Sequence, residues 1–131
     1  MDLQQHAIEF RSAYEVENGP HHRHMQLGLI QEEHKELLEA HVKLDSYDGA
    51  NADCLKELAD LVYVCFQYAE NMEWDLQEAL FRVHKSNMSK LGEDGKAIRR
   101  EDGKVLKGPN YKPPFLDDLT ETTITLKNYE H

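Results

Sequence analysis

Apolar residues recur every three to four positions through the first 91 residues of the chain, which is the spacing of an amphipathic helix. Glycine, proline and short polar runs interrupt this pattern between the periodic stretches. We therefore expect four helices. They cover residues 2–17, from about Gln26 to Lys43 or Leu44, from about Asn51 to Asn71, and from Asp75 to Leu91.

Residue types that start and stop helices support these boundaries. Gly19 and Pro20 suit the end of the first helix, because glycine favours a C-terminal cap and proline cannot continue the helix. Asp75 suits the N-cap of the fourth helix, with Glu78 at the third helical position as in a capping box. Gly92 is the expected cap at its other end.

Neither the cysteines nor the clustered histidines form a metal-binding pattern. Cys54 and Cys65 lie on one predicted helix, roughly 16 Å apart by the rise per residue, so we expect free, buried thiols. His21, His22 and His24 have no further ligand at a suitable spacing and are expected in a solvated loop.

The third predicted helix is unusually apolar. Between Leu58 and Phe66 hydrophobic residues occur nearly all the way round its axis, which predicts burial on more than one side. Because the chain is short, a neighbouring subunit is the expected source of the additional cover.

Beyond Gly92 the helical pattern stops. Ile98 to Leu106, with a central Asp102-Gly103, predicts a hairpin with a two-residue turn. Residues 107–114 are expected to extend along the helical body, and Thr123 to Leu126 fits either a strand or disorder. The predicted architecture is one all-α domain spanning residues 1–131, with a four-helix bundle at 1–92 and a basic, irregular tail containing the hairpin at 93–131.

Charge is distributed unevenly along the 131 residues. The formal net charge of -10 argues against nucleic acid as a partner. Nine of the fifteen basic residues but only four of the twenty-five acidic ones lie between Arg82 and Lys112, so this segment carries about +5. We expect it either to bind a polyanionic ligand or to form a solvated basic surface.

No segment suggests a membrane or a secretory route. The longest apolar run, Leu61 to Phe66, is too short to span a bilayer. The N-terminus lacks the basic and apolar regions of a signal peptide, so we expect a cytoplasmic protein.

Two acidic motifs give the strongest chemical signal. Glu32-Glu33-His34-Lys35-Glu36 lies on the second predicted helix and Glu57-Leu58-Ala59-Asp60 on the third, each with carboxylates three residues apart on one helical face. If these helices pack as a hairpin, four carboxylates meet at one level, and a divalent cation is needed to compensate their charge. Either motif alone would also fit a solvated acidic face.

The expected donors are all carboxylate oxygens, which favours Mg²⁺, with Mn²⁺ as the alternative. A di-iron centre would need Glu-x-x-His, and no glutamate stands three residues before His34, His41 or His84. Walker A, dinucleotide-binding and nucleophile-elbow motifs do not occur, so water is the expected nucleophile. Asn87 and Lys90 share one helical face, which fits either substrate binding or an ordinary helix end.

The acidic motifs, at residues 32–36 and 57–60, resemble the signature of the all-α nucleoside triphosphate pyrophosphohydrolases. This superfamily includes MazG, the dimeric dUTPases and phosphoribosyl-ATP pyrophosphohydrolase. Residues 83–96 and 100–111 resemble most closely its phosphoribosyl-ATP pyrophosphohydrolase-like or MazG-like branch of bacteria and phages. The resemblance extends over residues 30–114 and is weak outside them.

The resemblance implies a helical bundle that forms a homodimer or homotetramer. It implies Mg²⁺-dependent hydrolysis of a nucleoside triphosphate to the monophosphate and pyrophosphate, in a housecleaning or nucleotide-pool role. Glu32 would bind a further metal or orient the attacking water. The principal metal ligands would be Glu33, Glu36, Glu57 and Asp60, and the substrate contacts would be Asn87 and Lys90, with Lys104, Lys107 and Tyr111 in a phosphate-facing lid.

Two other functions fit the same sequence. A non-catalytic helical dimer that binds a nucleotide or a protein would show binding without turnover. A purely structural acidic bundle would not change its melting temperature on addition of Mg²⁺. The base, the sugar, the number of metal ions and the role of residues 115–131 stay open.

Overall fold

Four long helices form most of the computed structural model, which describes residues 1–121. The predicted all-α class and its four helices are confirmed. Helix α1 spans Leu3–Ala13, α2 spans Arg23–His41, α3 spans Ala50–Asn71 and α4 spans Leu76–Met88. A 3-10 turn at Pro20–His22 precedes α2, strands β1 (Ile98–Arg99) and β2 (Val105–Leu106) form a hairpin, and α5 spans Asp117–Thr120.

Helix α3 lies at the centre of the packing. It forms an antiparallel hairpin with α2 and also contacts α1 and α4. Of the four buried hydrophobic residues within 1–121, Ala50, Phe66 and Ala69 belong to α3, and the fourth is Ala7 of α1. The small side chains of the three alanines allow the helices to approach closely. Within residues 1–121 no helix is both long enough and apolar enough to cross a membrane.

Three buried polar residues join α1 to the end of α3, and we call Arg11, Gln67 and Asn71 the Arg11 network. The Arg11 guanidinium donates to Gln67 Oε1 at 3.3 Å and to Asn71 Oδ1 at 3.2 Å. The Asn71 side chain donates to the Gly19 carbonyl at 3.0 Å and accepts from the Gly19 N–H at 3.2 Å. Because all three side chains are buried, these hydrogen bonds fix α1 and the segment before α2 against α3.

A residue with left-handed backbone conformation stands two positions beyond the end of both α1 and α3. Glu15, with φ of 52°, follows α1, and the Val16 N–H donates to the Arg11 carbonyl at 2.8 Å, as in a Schellman motif. The predicted extension of α1 to residue 17 is therefore wrong, since this motif stops the helix without a glycine. Glu73, with φ of 60°, follows α3 in the same conformation.

The start of α2 also differs from the prediction. Pro20 opens the 3-10 turn because its fixed φ suits the first position of a helical turn, and α2 follows directly at Arg23. The predicted loop is therefore absent, and α2 ends at His41, before the predicted Lys43 or Leu44. The clustered histidines are placed accordingly, with His21 and His22 in the turn and His24 in α2.

Helix α4 begins as predicted but ends early. The Asp75 carboxylate caps it by accepting from the Glu78 N–H at 3.0 Å. The Glu78 carboxylate does not complete a capping box and instead accepts from Arg82 Nε at 3.0 Å. The helix ends at Met88, and Gly92 is not its cap because it belongs to the turn that follows.

The predicted hairpin is present, but its turn is one residue longer than expected. Ile98 pairs with Leu106 across the antiparallel strands. The Gly103 N–H donates to the Arg100 carbonyl at 2.8 Å, and Gly103 has a φ of 90°. Residues 101–103 therefore form a three-residue turn whose last position needs the left-handed conformation that glycine adopts easily.

The segment 107–114 lies along α4, as predicted. The Lys112 N–H donates to Ser89 Oγ at 3.0 Å. At Gly108 the backbones approach so closely that an added Cβ would lie 2.6 Å from the Lys90 carbonyl oxygen. This contact leaves no room for a side chain at position 108.

Helix α5 is held against α4 by one arginine. Arg82 donates to the Asp118 carboxylate at 2.6 Å and to the Phe115 carbonyl at 3.0 Å. These contacts fix the chain as far as α5, and residues 123–126, for which a strand or disorder was expected, lie outside the described residues.

Candidate metal centre

The α2–α3 hairpin places two pairs of carboxylates side by side. Glu33 and Glu36 lie one turn apart on α2, and Glu57 and Asp60 lie one turn apart on α3. One carboxylate oxygen from each of Glu33, Glu36 and Glu57 lies within 4.8 Å of the other two. We call these three residues the acidic cluster. The structure thus brings together three of the four carboxylates expected as principal ligands.

Two oxygens of the acidic cluster lack a hydrogen-bond partner. Glu33 Oε2 and Glu57 Oε2 are both shielded from solvent, and neither is paired within residues 1–121. Buried carboxylate oxygens without a partner are costly, because they lose hydration and gain nothing in return. A bound cation would satisfy both atoms.

The electrostatics of the cluster favour a proton or a cation. Burial raises the pKa of Glu33, and the neighbouring Glu36 carboxyl group raises it further. Burial likewise raises the pKa of Glu57, against the opposing effect of the nearby Lys56 ammonium group. Ionisation of Glu33 and Glu57 is therefore unfavourable unless a positive ion compensates them.

Asp60 lies beside the cluster and is paired with a lysine. Lys56 Nζ lies 2.6 Å from Asp60 Oδ2 and 3.7 Å from Glu57 Oε1. The pKa of Lys56 is raised by its hydrogen bond to Asp60 and by the charges of Asp60, Glu57 and Glu33. Sequence reasoning missed Lys56, although its position four residues before Asp60 on a helix is a signal for such a pair.

Glu32 lies apart from the cluster. Its side chain is exposed, because it projects from a different side of α2 than the side chains of Glu33 and Glu36. The expected role of Glu32, as a ligand of a further metal or as the residue that orients water, stays a prediction.

The residues expected to contact substrate are not assembled into one site within the single chain. Asn87 is exposed near the end of α4, and Lys104 is exposed beyond the hairpin turn. Lys107 Nζ lies 4.8 Å from the centre of the Tyr111 ring, which couples these two residues to each other. No salt bridge in the described part of the chain links the acidic cluster to Lys90 or to these other lysines.

The donors of the acidic cluster fit a hard divalent cation. All of them are carboxylate oxygens, which suit Mg²⁺ or Mn²⁺ better than the softer transition metals. The unpaired oxygens of Glu33 and Glu57 supply the observation that supports this fit. Chemically, such a centre can hold a metal ion while leaving coordination positions for a phosphate ligand.

Most of the four-helix region, including both acidic motifs, matches the model of a known protein family. The family model described as phosphoribosyl-ATP pyrophosphohydrolase matches residues 5–87. The match covers more than half of the chain, including both acidic motifs, and it ends before the hairpin and the rest of the basic tail. No curated protein matches the chain significantly.

Proposed function

We propose a reaction for this protein on the basis of the family to which it belongs. The chain is a member of the phosphoribosyl-ATP pyrophosphohydrolase family, which is part of the MazG-like all-α nucleoside triphosphate pyrophosphohydrolase superfamily. The resemblance seen in the sequence is thereby confirmed, and the family implies a hydrolase acting on pyrophosphate bonds. The proposal is that the protein hydrolyses an NTP or dNTP to the nucleoside monophosphate and pyrophosphate, with water as the nucleophile and Mg²⁺ as the cofactor.

The observation that carries this proposal is the convergence of Glu33, Glu36 and Glu57. Their oxygens lie within 4.8 Å of one another, and two buried oxygens of this set have no partner in residues 1–121. A solvated acidic face would spread its carboxylates apart rather than bury them together. The cluster is therefore better explained as an ion-binding centre.

In the proposed mechanism these carboxylates, with Asp60 at their side, would hold Mg²⁺. The ion would supply charge neutralisation and Lewis acidity at the phosphates and make water more acidic. Glu32, which is exposed on the same helix as Glu33 and Glu36, would accept a proton from the attacking water. Lys56, which contacts both Asp60 and Glu57, provides a further positive charge at the same edge.

The basic tail would supply the remaining phosphate contacts. Asn87 and Lys90 precede it, and Lys104, Lys107 and Tyr111 lie within it. Cations at these positions would stabilise the negative charge of the leaving pyrophosphate. Since the single chain does not join them to the acidic cluster, their contribution requires either a ligand that spans the two regions or a second subunit.

The exposed face of α3 supports the proposal of a homodimer or homotetramer. Leu55, Leu58 and Val62 are 66%, 45% and 44% exposed on one chain. Together with residues of α1 they line an apolar groove of about 410 Å³. Burying such a face against another copy would provide the cover expected for a helix that is apolar nearly all round. Sedimentation equilibrium will measure the state, and a monomer at micromolar concentration would contradict this proposal.

A substrate panel tests the proposed reaction. The protein is incubated with the standard NTPs and dNTPs, and with triphosphates of damaged bases, in the presence of Mg²⁺ or Mn²⁺. We expect at least one substrate to give equal amounts of monophosphate and pyrophosphate. Absence of both products with every nucleotide would reject the proposal. Activity on a damaged base above all others would support the housecleaning role, and a cytoplasmic location stays a prediction.

The alternative function is a non-catalytic helical module that binds a nucleotide or a protein. The observation that favours it is that no salt bridge within residues 1–121 joins the acidic cluster to Lys90, Lys104 or Lys107. Calorimetry that shows nucleotide binding, together with no turnover by the same preparation, would identify this alternative.

A further inference from the structure

One of the four carboxylates expected as principal metal ligands lies outside the acidic cluster. Asp60 lies one turn beyond Glu57 on α3, which is the same spacing that separates the two glutamates of the cluster on α2. Nevertheless, the oxygens that lie within 4.8 Å of one another belong to Glu33, Glu36 and Glu57. Asp60 Oδ2 instead lies 2.6 Å from Lys56 Nζ. The carboxylate outside the cluster is therefore the one that pairs most closely with a lysine.

Lys56 lies on the solvent side of the carboxylates of α3. It comes one residue before Glu57 and one helical turn before Asp60, so its flexible side chain can reach both. Its ammonium nitrogen lies 3.7 Å from Glu57 Oε1. The side chain of Lys56 is 67% exposed, whereas those of Glu57 and Asp60 are 20% and 35% exposed. The positive charge therefore covers two less exposed acids.

Lys56 compensates the negative charge of this region only in part. Within residues 1–121 it is the one cationic side chain that forms a salt bridge with these four carboxylates. Glu33 Oε2 and Glu57 Oε2 stay buried without a hydrogen-bond partner in the same residues. A divalent ion that bound these oxygens would repel the nearby ammonium group. Because an exposed ion pair contributes little to stability, the lysine is the cation that can be displaced.

We propose that Lys56 is the counter-ion of this site in the absence of metal, and that a divalent ion displaces it from Asp60 on binding. The Asp60 carboxylate then becomes available as a fourth donor beside the acidic cluster. Lys56 thus positions Asp60 and lowers the affinity of the site for a metal ion, without being a ligand itself. This inference rests on the proposed function, because it takes the acidic cluster as the metal centre.

Metal affinity measured without nucleotide tests this competition. The protein is treated with EDTA, dialysed and titrated with Mn²⁺, and free Mn²⁺ is followed by electron paramagnetic resonance. We expect Lys56→Met to bind Mn²⁺ about fivefold more tightly than the unmodified protein, which is the upper end of what an exposed ion pair contributes. The difference should shrink at high ionic strength, since salt screens exposed charges.

Two variants control for the loss of a positive charge. Lys35→Met makes the same change at an exposed position one residue before Glu36, where the lysine forms no salt bridge within residues 1–121. It should change the Mn²⁺ affinity by less than about twofold, because solvent and salt screen a charge that makes no contact. Lys56→Arg retains the cation and should bind Mn²⁺ no more tightly than the unmodified protein. Circular dichroism melting checks that each variant is folded.

NMR of the lysine side chains observes the displacement itself. The lysines are isotopically labelled by reductive methylation, which preserves their charge, and the Lys56 signal is assigned by its absence from the spectrum of Lys56→Arg. We expect added Mg²⁺ to shift this signal towards its position in Asp60→Asn, where the closest partner of the ammonium group is lost. The Lys35 signal should shift less.

The outcomes distinguish this inference from the proposed reaction. If Lys56→Met and Lys35→Met bind Mn²⁺ equally, or if saturating Mg²⁺ leaves the Lys56 signal unchanged, Lys56 does not compete with the metal and the inference is wrong. Metal binding and hydrolysis of triphosphates by the unmodified protein would stand in that case. If none of these proteins binds the metal, the proposed metal centre is wrong and the inference fails with it.

Discussion

The two ends of the α2–α3 hairpin bury polar side chains in opposite ways. Near the end of α3, Arg11, Gln67 and Asn71 pair a cation with neutral acceptors, and of their buried side-chain atoms Gln67 Nε2 alone has no partner within residues 1–121. At the other end, Glu33 and Glu57 carry charges of the same sign and keep buried oxygens without partners among the described residues. The charge at the first end is thus stabilised by neutral acceptors of the chain, whereas the like charges at the second end require a counter-ion.

This difference separates polar groups that stabilise the fold from those that serve a ligand. A buried polar cluster whose members satisfy one another behaves as part of the core. A buried cluster of like charges opposes folding until a counter-ion arrives. Substitutions at the two ends should therefore change different measured quantities.

The largest effect is expected on turnover at the acidic end. Glu36→Gln should lower kcat/KM by roughly 100-fold or more, because it removes an anionic donor from the proposed metal centre. The melting temperature should not fall, since the change also removes a like-charge interaction. A coupled assay for released pyrophosphate measures the rate.

Glu39→Gln is the matched control for that substitution. Glu39 is exposed on α2, three residues beyond Glu36, and should retain the activity of the unmodified protein. Equal activity of the two variants would show that the acidic cluster takes no part in the reaction, and the proposed difference between the two ends of the hairpin would then be wrong.

The next largest effect is expected on stability at the paired end. Arg11→Met should lower the free energy of unfolding by about 3 kcal/mol, because Gln67 and Asn71 would keep buried acceptors without their donor. Urea denaturation measures this loss. Arg23→Met, at an exposed position on α2, should change stability by less than about 0.5 kcal/mol. Equal effects of both substitutions would show that the network does not stabilise the fold.

Added Mg²⁺ should stabilise the acidic end by an intermediate amount. At a concentration 100 times its Kd, binding to the folded protein alone adds about 2.7 kcal/mol. Differential scanning fluorimetry in a Mg²⁺ series should therefore show a rising Tm. Glu57→Gln should reduce the rise, because one buried oxygen of the cluster is lost as a ligand. An unchanged Tm in the unmodified protein would favour a structural acidic bundle.

The smallest effect is expected from pH in the absence of metal. Because the pKa values of Glu33 and Glu57 are raised above 4.5, the folded protein binds these protons more tightly than the unfolded chain. This contribution is fully present below about pH 4.5 and is lost as pH rises through the folded pKa values. Urea titrations in EDTA from pH 4.5 to 7.5 should show a falling free energy of unfolding.

The same titrations of Glu57→Gln should show a shallower fall, since one of the two groups no longer titrates. Asp102 and Asp118 have lowered pKa values because each accepts hydrogen bonds from an arginine. They act in the opposite sense, but only near and below 3.8, outside the range measured. A free energy that stays constant with pH would contradict the unfavourable electrostatics of the acidic end.

Local signals in the sequence were sufficient for the helices and for the three clustered carboxylates. The apolar period predicts α1 to α4, and the three-residue spacing of Glu33 and Glu36 predicts a shared face. The expected roles of Asp60 and Glu32 stay predictions, and in the structure Asp60 pairs with Lys56 and Glu32 is exposed. Side-chain direction and ion pairing of this kind are not determined by spacing along a helix.

The paired end could not be predicted, because its signals depend on tertiary contacts. Arg11, Gln67 and Asn71 are polar residues whose positions along a helix are equally compatible with a solvated surface. Glu15 and Glu73 end their helices in a left-handed conformation that is usually associated with glycine. For the Arg11 network, the contacts with another helix decide the burial of these residues, which the sequence pattern alone does not reveal.

The close approach at Gly108 has a consequence for experiments on the basic tail. In this segment Gly108 lies against the backbone carbonyls of Lys90 and Leu91, a contact that involves no side chain. Charge reversal at Lys104 should therefore leave this contact intact and report on phosphate affinity, whereas charge reversal at Lys107 would also remove its contact with the Tyr111 ring. The Gly108→Ala substitution would add a methyl group that collides with the Lys90 and Leu91 carbonyls, so it should displace this segment while every charge is preserved. Shape and charge in this segment can thus be varied independently.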